Sequence, residues 1–288
     1  MNELTDIKNI RDIISRHGFT FSKALGQNFI VNPSVCPRIA ELGNAKKGFG
    51  IIEIGTGIGV LTSELAKRAD RVTAVEIDTR LMPILAETLA GYDNVHIVNA
   101  DVMKTDLAEI IRTDLAGLEA AVCANLPYYI TSPVIMRLLE SRLPIRSITV
   151  MVQKEAGVRL CAMPATRECG AVTYAVRYYA EPEMLFKVSR GSFMPPPNVD
   201  SCVIRLNIRE KPPFELENEA QYFRVVRGAF SQRRKTAANS ISSALGIEKA
   251  EVISAIEKSG ADASVRPEQL TPGQFADISQ LLMKGNAI

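Results

Sequence analysis

The stretch EIGTGIG, residues 53–59, decides the fold class of this 288-residue chain. An apolar run over residues 51–54 leads into its first glycine, and a helical pattern begins at Val60. Glycines at a strand-to-helix junction permit a tight turn and close approach of the backbone to a ligand. The dinucleotide fingerprint GxGxxG would require glycine at position 60, so the pattern here is GxGxG preceded by an acid. We predict a ligand-binding loop in an α/β protein.

Residues 51–150 alternate short apolar runs with helical patterns, which is typical of βαβ units and a buried parallel sheet. The predicted strands are residues 51–54, 72–75, 95–98, 120–124 and 148–152. Two further strands, residues 184–188 and 199–208, follow with no helix between them. They predict an antiparallel pair at the sheet edge.

The segment Lys211-Pro212-Pro213 resembles a linker, and residues beyond it show only helical patterns. We therefore predict a sheet domain over residues 1–211 and a small all-helical domain over residues 212–288.

Composition describes an ordinary globular protein, with 47% hydrophobic and 23% charged residues and a net charge of +2. No apolar run approaches the ~20 residues of a membrane helix, and no signal peptide is visible. We expect a cytoplasmic protein without membrane association. Five cysteines without a CxxC pair and two histidines make a zinc site improbable, so no metal is expected.

Acidic residues follow the second and third predicted strands. Glu76 can accept both hydrogen bonds of a ribose diol, and Asp101 can accept from an adenine amino group. Asp101 alone could equally be a helix cap. In an open parallel sheet these strand ends lie along one edge, together with Gly55 and Gly57. The set resembles the S-adenosylmethionine-binding half of Rossmann-like methyltransferases.

The tetrad Asn125-Leu126-Pro127-Tyr128 follows the fourth strand and resembles the loop of methyltransferases that modify an exocyclic amino group of a base. The adenine N6 lone pair is delocalised into the ring, so the amine needs two acceptors for its hydrogens while it attacks. The Asn125 side-chain oxygen and the Leu126 carbonyl can supply them, and Tyr128 offers a ring face to the base. A simple turn is the alternative. Phe193 either stacks on the opposite face of the base or plugs the core under its proline-rich loop.

Longer motifs are similar to those of the ribosomal RNA adenine dimethyltransferases. They are LGQNFI (25–30), EIGTGIGVLT (53–62), NLPY (125–128), VQKE (152–155) and FMPPPNVDS (193–201). The first and last favour the bacterial small-subunit branch over the resistance enzymes that act on large-subunit rRNA. The chain departs from the family pattern at Cys169, at residues 162–168 and at residues 237–240.

The resemblance implies that the N-terminal segment covers the cofactor S-adenosylmethionine, with Asn28, Ile30, Gly55, Glu76, Asp101 and Asn125 lining its site. It also implies dimethylation of two adjacent adenines in the hairpin loop near the 3′ end of 16S rRNA within the small ribosomal subunit. A role in subunit maturation follows from the same resemblance. We expect a monomer.

Two stretches, residues 13–40 and 220–247, contain no acid. Under the rRNA interpretation their cations contact phosphates, whereas solvated helix faces are the alternative. The predicted RNA-binding residues are Lys23, Arg224, Arg227, Arg233, Arg234 and Lys235. Competing functions are an RNA-binding assembly factor with incidental catalysis, a large-subunit rRNA methyltransferase and a small-amine methyltransferase.

Overall fold

The computed structural model describes residues 3–22, 24–232 and 234–284. Its contacts divide the chain into two compact units. The first comprises Met1–Gly157 and Glu181–Ile208, and the second comprises Val158–Ala180 and Arg209–Ile288.

The strands are β1 (Phe29–Ile30), β2 (Phe49–Ile54), β3 (Arg71–Glu76), β4 (Val95–Asn99), β5 (Glu119–Asn125), β6 (Ile145–Gln153), β7 (Ala180–Val188), β8 (Phe193–Met194) and β9 (Ser201–Ile208). Seven of them form one sheet in the order β4-β3-β2-β5-β6-β9-β7, and β1 and β8 form a separate two-stranded sheet. The pairs from β4 to β6 are parallel, and β9 is antiparallel to β6.

The helices of the first unit are α1 (Ile7–Arg16), α2 (Val35–Leu42), α3 (Val60–Ala66), α4 (Met82–Thr88), α5 (Leu107–Thr113) and α6 (Thr131–Glu140). A further helix, α7 (Lys154–Cys161), begins directly after β6 and ends in the second unit. The predicted α/β Rossmann-like fold class is confirmed. The predicted edge strands are β7 and β9, which are neighbours in the sheet.

The register of the parallel strands brings their carboxyl ends together. Ile54 of β2 is level with Val75 of β3 and with Ala124 of β5. All six residues of β2 are buried, which explains why its sequence is an almost continuous apolar run. The residues that follow these strands therefore meet at one edge of the sheet.

The second unit contains α8 (Ala171–Tyr179), α9 (Glu219–Ala229), α10 (Ala237–Leu245), α11 (Lys249–Lys258) and α12 (Pro272–Lys284). Residues 158–180, which the sequence analysis assigned to the sheet domain, group here with the C-terminal helices. The reason is aromatic packing: the buried Tyr174 ring lies 5.0 Å from Phe275, and its hydroxyl donates to Leu270 O at 2.5 Å. That the sheet domain and the helical domain divide at residue 211 stays a prediction.

No helix among the described residues is both long and apolar enough to span a membrane.

Gly50 in β2 tests how closely this central strand is packed. A Cβ at this position would lie 2.7 Å from Leu115 Cδ2 and 3.0 Å from Leu115 Cβ. We expect Gly50→Ala to lower the free energy of unfolding by about 1–3 kcal/mol through overpacking. Urea unfolding measures this loss, and Gly91→Ala is the control because nothing lies within 4 Å of its added Cβ. Leu115→Ala removes Cδ2 but keeps Cβ, so the loss should be smaller in that background, and an undiminished loss would contradict the assignment of the clash to Leu115.

Candidate active site

A cavity of about 340 Å³ lies at the carboxyl ends of the parallel strands. Its lining comes from the N-terminal segment, the glycine loop, the ends of β3, β4 and β5, and Phe193. This is the position at which open α/β sheets bind ligands, and the volume is that of an ordinary small-molecule site.

The glycine loop adopts a backbone conformation that other residues avoid. Gly55, Gly57 and Gly59 have φ values of +76°, +54° and +89°. A Cβ on Gly57 would also lie 3.3 Å from the ring of Phe29. The loop thus presents bare backbone to the cavity, which suits close approach by a ligand.

Glu76 is the acid that organises this edge. Its Oε2 accepts hydrogen bonds from the Thr56 backbone N at 2.9 Å and from Thr56 Oγ1 at 3.0 Å. Its Oε1 accepts from the backbone N of Asp78 at 2.8 Å. A carboxylate offers about four lone-pair sites, so acceptor capacity remains for a ligand diol.

Asp101 lines the same cavity beyond the end of β4. Its Oδ1 accepts from the backbone N of Met103 at 2.9 Å and closes a local turn. It does not cap α5, whose first turn is capped by Asp106. The helix-cap alternative for Asp101 is therefore wrong.

The tetrad 125–128 begins on the last residue of β5. Asn125 Nδ2 donates a long hydrogen bond, 3.5 Å, to the backbone oxygen of Asn28. Because the amide nitrogen is directed to that oxygen, Asn125 Oδ1 is the atom left to accept from a ligand. Leu126 N donates to Met151 O at 3.2 Å, which fixes the loop to β6.

Tyr128 and Phe193 are the two aromatic residues at the base-binding position proposed from the sequence, and both line the cavity. The Tyr128 hydroxyl pairs with Ser201 Oγ at 2.8 Å. Burial raises the pKa of Tyr128, against the opposing hydrogen bond of Ser201. Phe193 is buried and lies on β8, where it pairs with Ile30 of β1.

The N-terminal segment is held over this edge by side chains that the sequence analysis did not select. Gln27 Nε2 donates to Asp78 Oδ2 at 2.7 Å, and Asn28 Nδ2 donates to Gly26 O at 3.0 Å. Arg80 and then Gln27 lower the pKa of Asp78, which therefore stays ionised. The segment is thereby attached two residues beyond Glu76.

Glu53 is a buried acid, and neither of its carboxyl oxygens makes a hydrogen bond of ordinary geometry among the described residues. It is 0% exposed and belongs to the cavity lining. Burial raises its pKa to about 8; the Thr62 hydroxyl opposes this shift and the charge of Glu76 adds to it. Isolated buried carboxyls neutralise in this way, and each such group requires an explanation.

The structure brings together all the predicted cofactor-binding and catalytic residues in one cavity. They are Asn28, Ile30, Gly55, Gly57, Glu76, Asp101, Asn125, Leu126, Pro127, Tyr128 and Phe193. The RNA-binding candidates Arg224, Arg227, Arg234 and Lys235 are exposed and belong to the second unit. Lys23 and Arg233 lie outside the described residues.

The fold and this edge define the class of Rossmann-like S-adenosylmethionine-dependent methyltransferases. The 23S rRNA methyltransferase ErmE superposes with a TM-score of 0.62 at 27% identity, covering 89% of this chain and 100% of that one. A dimethyladenosine transferase from Plasmodium falciparum gives a TM-score of 0.72 at 23% identity, with coverages of 89% and 98%; at that identity the likeness concerns the fold alone.

Sequence comparison narrows the class. The model of the ribosomal RNA adenine dimethylase family matches residues 18–284. The Ribosomal RNA small subunit methyltransferase A of Geobacillus thermodenitrificans is 48% identical over 277 residues, 95% of this chain and 94% of the relative. The chain belongs to the ribosomal RNA adenine dimethylase family. The predictions of a methyltransferase, of S-adenosylmethionine as cofactor and of rRNA as substrate are confirmed.

The buried acid generates a prediction for stability. The pKa of Glu53 is about 8 in the folded protein against an ordinary 4.5, so between these values the folded state holds one more proton than the unfolded state. The contribution of Glu53 to the free energy of unfolding therefore falls by about 1.4 kcal/mol per pH unit as the pH rises through this window. Glu53→Gln does not titrate.

We expect the stability of Glu53→Gln relative to the unmodified chain to rise by about 3 kcal/mol between pH 5 and pH 7.5. Urea unfolding of both proteins across this range measures the difference. A difference that stays constant with pH would contradict burial of an unpartnered acid.

Proposed function

We propose that the chain transfers methyl groups from S-adenosylmethionine to N6 of two adjacent adenines in the 3′-terminal hairpin loop of 16S rRNA. The substrate is the small ribosomal subunit or its precursor, and the enzyme acts as a monomer in the cytoplasm and assists subunit maturation. The observation that carries the proposal is the position of Asn125 and Leu126, which end β5 beside the glycine loop within one cavity. The name of the 48% identical relative supports the small subunit as substrate.

The residues present fit the cofactor. Glu76 keeps acceptor capacity for the ribose diol, Asp101 accepts from the adenine end, and the glycine loop offers backbone without side chains at Gly55 and Gly57. Asn28 and Ile30 hold the N-terminal segment over the ligand. When bound, S-adenosylmethionine supplies an electrophilic methyl group on sulfur.

Asn125 and Leu126 position the nucleophile. The lone pair of adenine N6 is delocalised into the ring, so nitrogen must pyramidalise to present it to the methyl group. In the first transfer, Asn125 Oδ1 and the Leu126 carbonyl accept the two N–H groups and stabilise the positive charge that develops on nitrogen. Nitrogen then loses one proton to solvent, and the remaining N–H is held for the second transfer. Because Asn125 Nδ2 is directed to Asn28 O, the oxygen keeps its orientation. The rate enhancement comes from in-line positioning and preorganised acceptors.

The aromatic pair holds the target base. A base that is stacked on its neighbours in the RNA loop cannot enter this cavity, so it must be extruded, at the cost of its stacking. Tyr128, whose hydroxyl is fixed by Ser201, stacks on one face, and Phe193 on β8 stacks on the other. Pro127 stiffens the loop, and its carbonyl accepts from Ile130 N at 3.1 Å.

Cations in both units contact RNA phosphates. In the second unit, Arg224 and Arg227 are exposed one turn apart on α9, and Arg234 and Lys235 follow this helix. In the first unit, Lys154 and Arg190 are exposed at the site edge. Both are tied to Asp200 through their backbones: Lys154 N donates to Asp200 O at 3.0 Å, and Arg190 N donates to Asp200 Oδ1 at 3.0 Å. Phosphate contacts position the RNA without reading its bases.

A large-subunit substrate is the second candidate, because the structure of the 23S rRNA methyltransferase ErmE superposes over 89% of the chain. The closer sequence match to the small-subunit relative favours the first candidate.

Replacement of Asn125 tests the proposed chemistry. We expect Asn125→Ala to lower the methylation rate of unmethylated small subunits at least about 100-fold, because one of two preorganised acceptors is lost. Incorporation of labelled methyl groups into RNA measures the rate, and circular dichroism checks folding. Asn207→Ala, at the other end of the same sheet, is the control and keeps the rate. Methylation by Asn125→Ala at the unmodified rate would refute the assigned role.

Removal of the second-unit cations tests the RNA surface. The quadruple change of Arg224, Arg227, Arg234 and Lys235 to Ala is expected to raise the KM for small subunits at least about tenfold. The logarithm of the RNA-binding constant falls linearly with the logarithm of the salt concentration, and the steepness of this fall should decrease by roughly 1 for each phosphate contact removed. The affinity for S-adenosylmethionine should stay constant. The control is the double variant Lys47→Ala/Arg146→Ala, whose residues lie at the amino ends of the sheet strands, away from the cavity. An equal rise in KM in this control would contradict a specific RNA-binding surface on the second unit.

A further inference from the structure

Tyr129 is the one exposed aromatic residue among those the structure describes. Its side chain is 57% exposed, yet the residue lines the same cavity as Tyr128 and Phe193. A large exposed ring at the entrance of a ligand site is unusual for a residue whose purpose is folding.

The two consecutive tyrosines are held by different elements. The Tyr128 hydroxyl is paired with Ser201 at the start of β9. Ring atoms Cδ1 and Cε1 of Tyr129 lie 3.5 Å from the position that a Cβ on Gly26 would take. The Tyr129 ring therefore lies against the N-terminal segment rather than against β9. The two rings therefore contact different parts of the chain.

The base pocket leaves Tyr129 without a role in holding the extruded adenine, whose two faces are covered by Tyr128 and Phe193. Extrusion of one nucleotide exposes a face of the neighbouring base, which has lost its stacking partner. An aromatic ring at the pocket entrance can replace that partner, and such stacking tolerates any base.

We propose that Tyr129 forms a second subsite, which binds by stacking the nucleobase directly next to the target adenine in the RNA strand. This inference rests on the proposed function. The subsite holds the strand at the cavity entrance and strengthens binding of RNA, while binding of S-adenosylmethionine is independent of it.

Substitutions at Tyr129 separate ring stacking from apolar bulk. We expect Tyr129→Leu to raise the KM for unmethylated small subunits about tenfold with little change in kcat, which corresponds to loss of one stacked base. Tyr129→Phe keeps the ring, so its KM should stay within about twofold of that of the unmodified chain. Met184→Ala, another exposed large apolar residue of the first unit, is the control.

A photoreactive phenylalanine analogue at position 129 identifies the occupant. In the complex with small subunits, the expected crosslink is to the nucleotide immediately before or after a methylated adenine. A crosslink to a ribosomal protein, or an unchanged KM in Tyr129→Leu, would overturn the proposal while leaving methylation intact. Failure of the unmodified chain to methylate small subunits would instead overturn the proposed function.

Discussion

The three hydrogen bonds to the carboxylate of Glu76 are the interaction on which the site depends. They link the loop after β2, through Thr56, to the loop after β3, through Asp78. The parallel register alone brings these loops to one edge of the sheet. Glu76 then fixes the glycine loop in its left-handed conformation, so that bare backbone faces the cavity. The Glu76 carboxylate is buried and accepts three hydrogen bonds from the fold, and its remaining acceptor capacity is available to a ligand, which joins stability to binding.

Asp78 extends this arrangement to the N-terminal segment. Its carboxylate accepts from Gln27, and an ion pair with Arg80 at 2.6 Å keeps it charged. The same segment returns through Asn28 to Asn125 and through Ile30 to Phe193. Parts of the chain that are far apart in sequence thereby define one site. In such a site the acceptors need no rearrangement during methyl transfer.

The central strands and the three strand-end groups could be predicted from the sequence because both depend on local patterns. Short, mainly apolar runs identified β2, β3 and β5. Glu76 and Asp101 were predicted as ligand-binding acids because they lie where predicted strands end. The pairing of β1 with β8 could not be predicted, since two-residue strands have no periodicity. The paired residues are also far apart in sequence: Ile30 pairs with Phe193, 163 residues later, and Phe29 pairs with Met194, 165 residues later. The hydrogen bond from Gln27 to Asp78 and the exposure of Tyr129 likewise depend on tertiary structure.

The grouping of residues 158–180 with the C-terminal helices has the same origin. The sequence there contains a helical pattern with no sign of its partner, and Tyr174 finds that partner about a hundred residues later, at Leu270 and Phe275. Glu53 is a different case. The sequence shows an acid before the glycine loop, but only the structure shows that both of its carboxyl oxygens are buried without a hydrogen bond of ordinary geometry. Local signals identify which groups can do chemistry, and packing decides which of them are engaged.

The most direct test of the account is the identity of the nucleoside that the enzyme makes. Unmethylated small ribosomal subunits are incubated with the purified full chain and labelled S-adenosylmethionine, and the RNA is digested to nucleosides for mass analysis. The account predicts N6,N6-dimethyladenosine as the labelled product. A methylated cytidine, or no label in RNA, would contradict it.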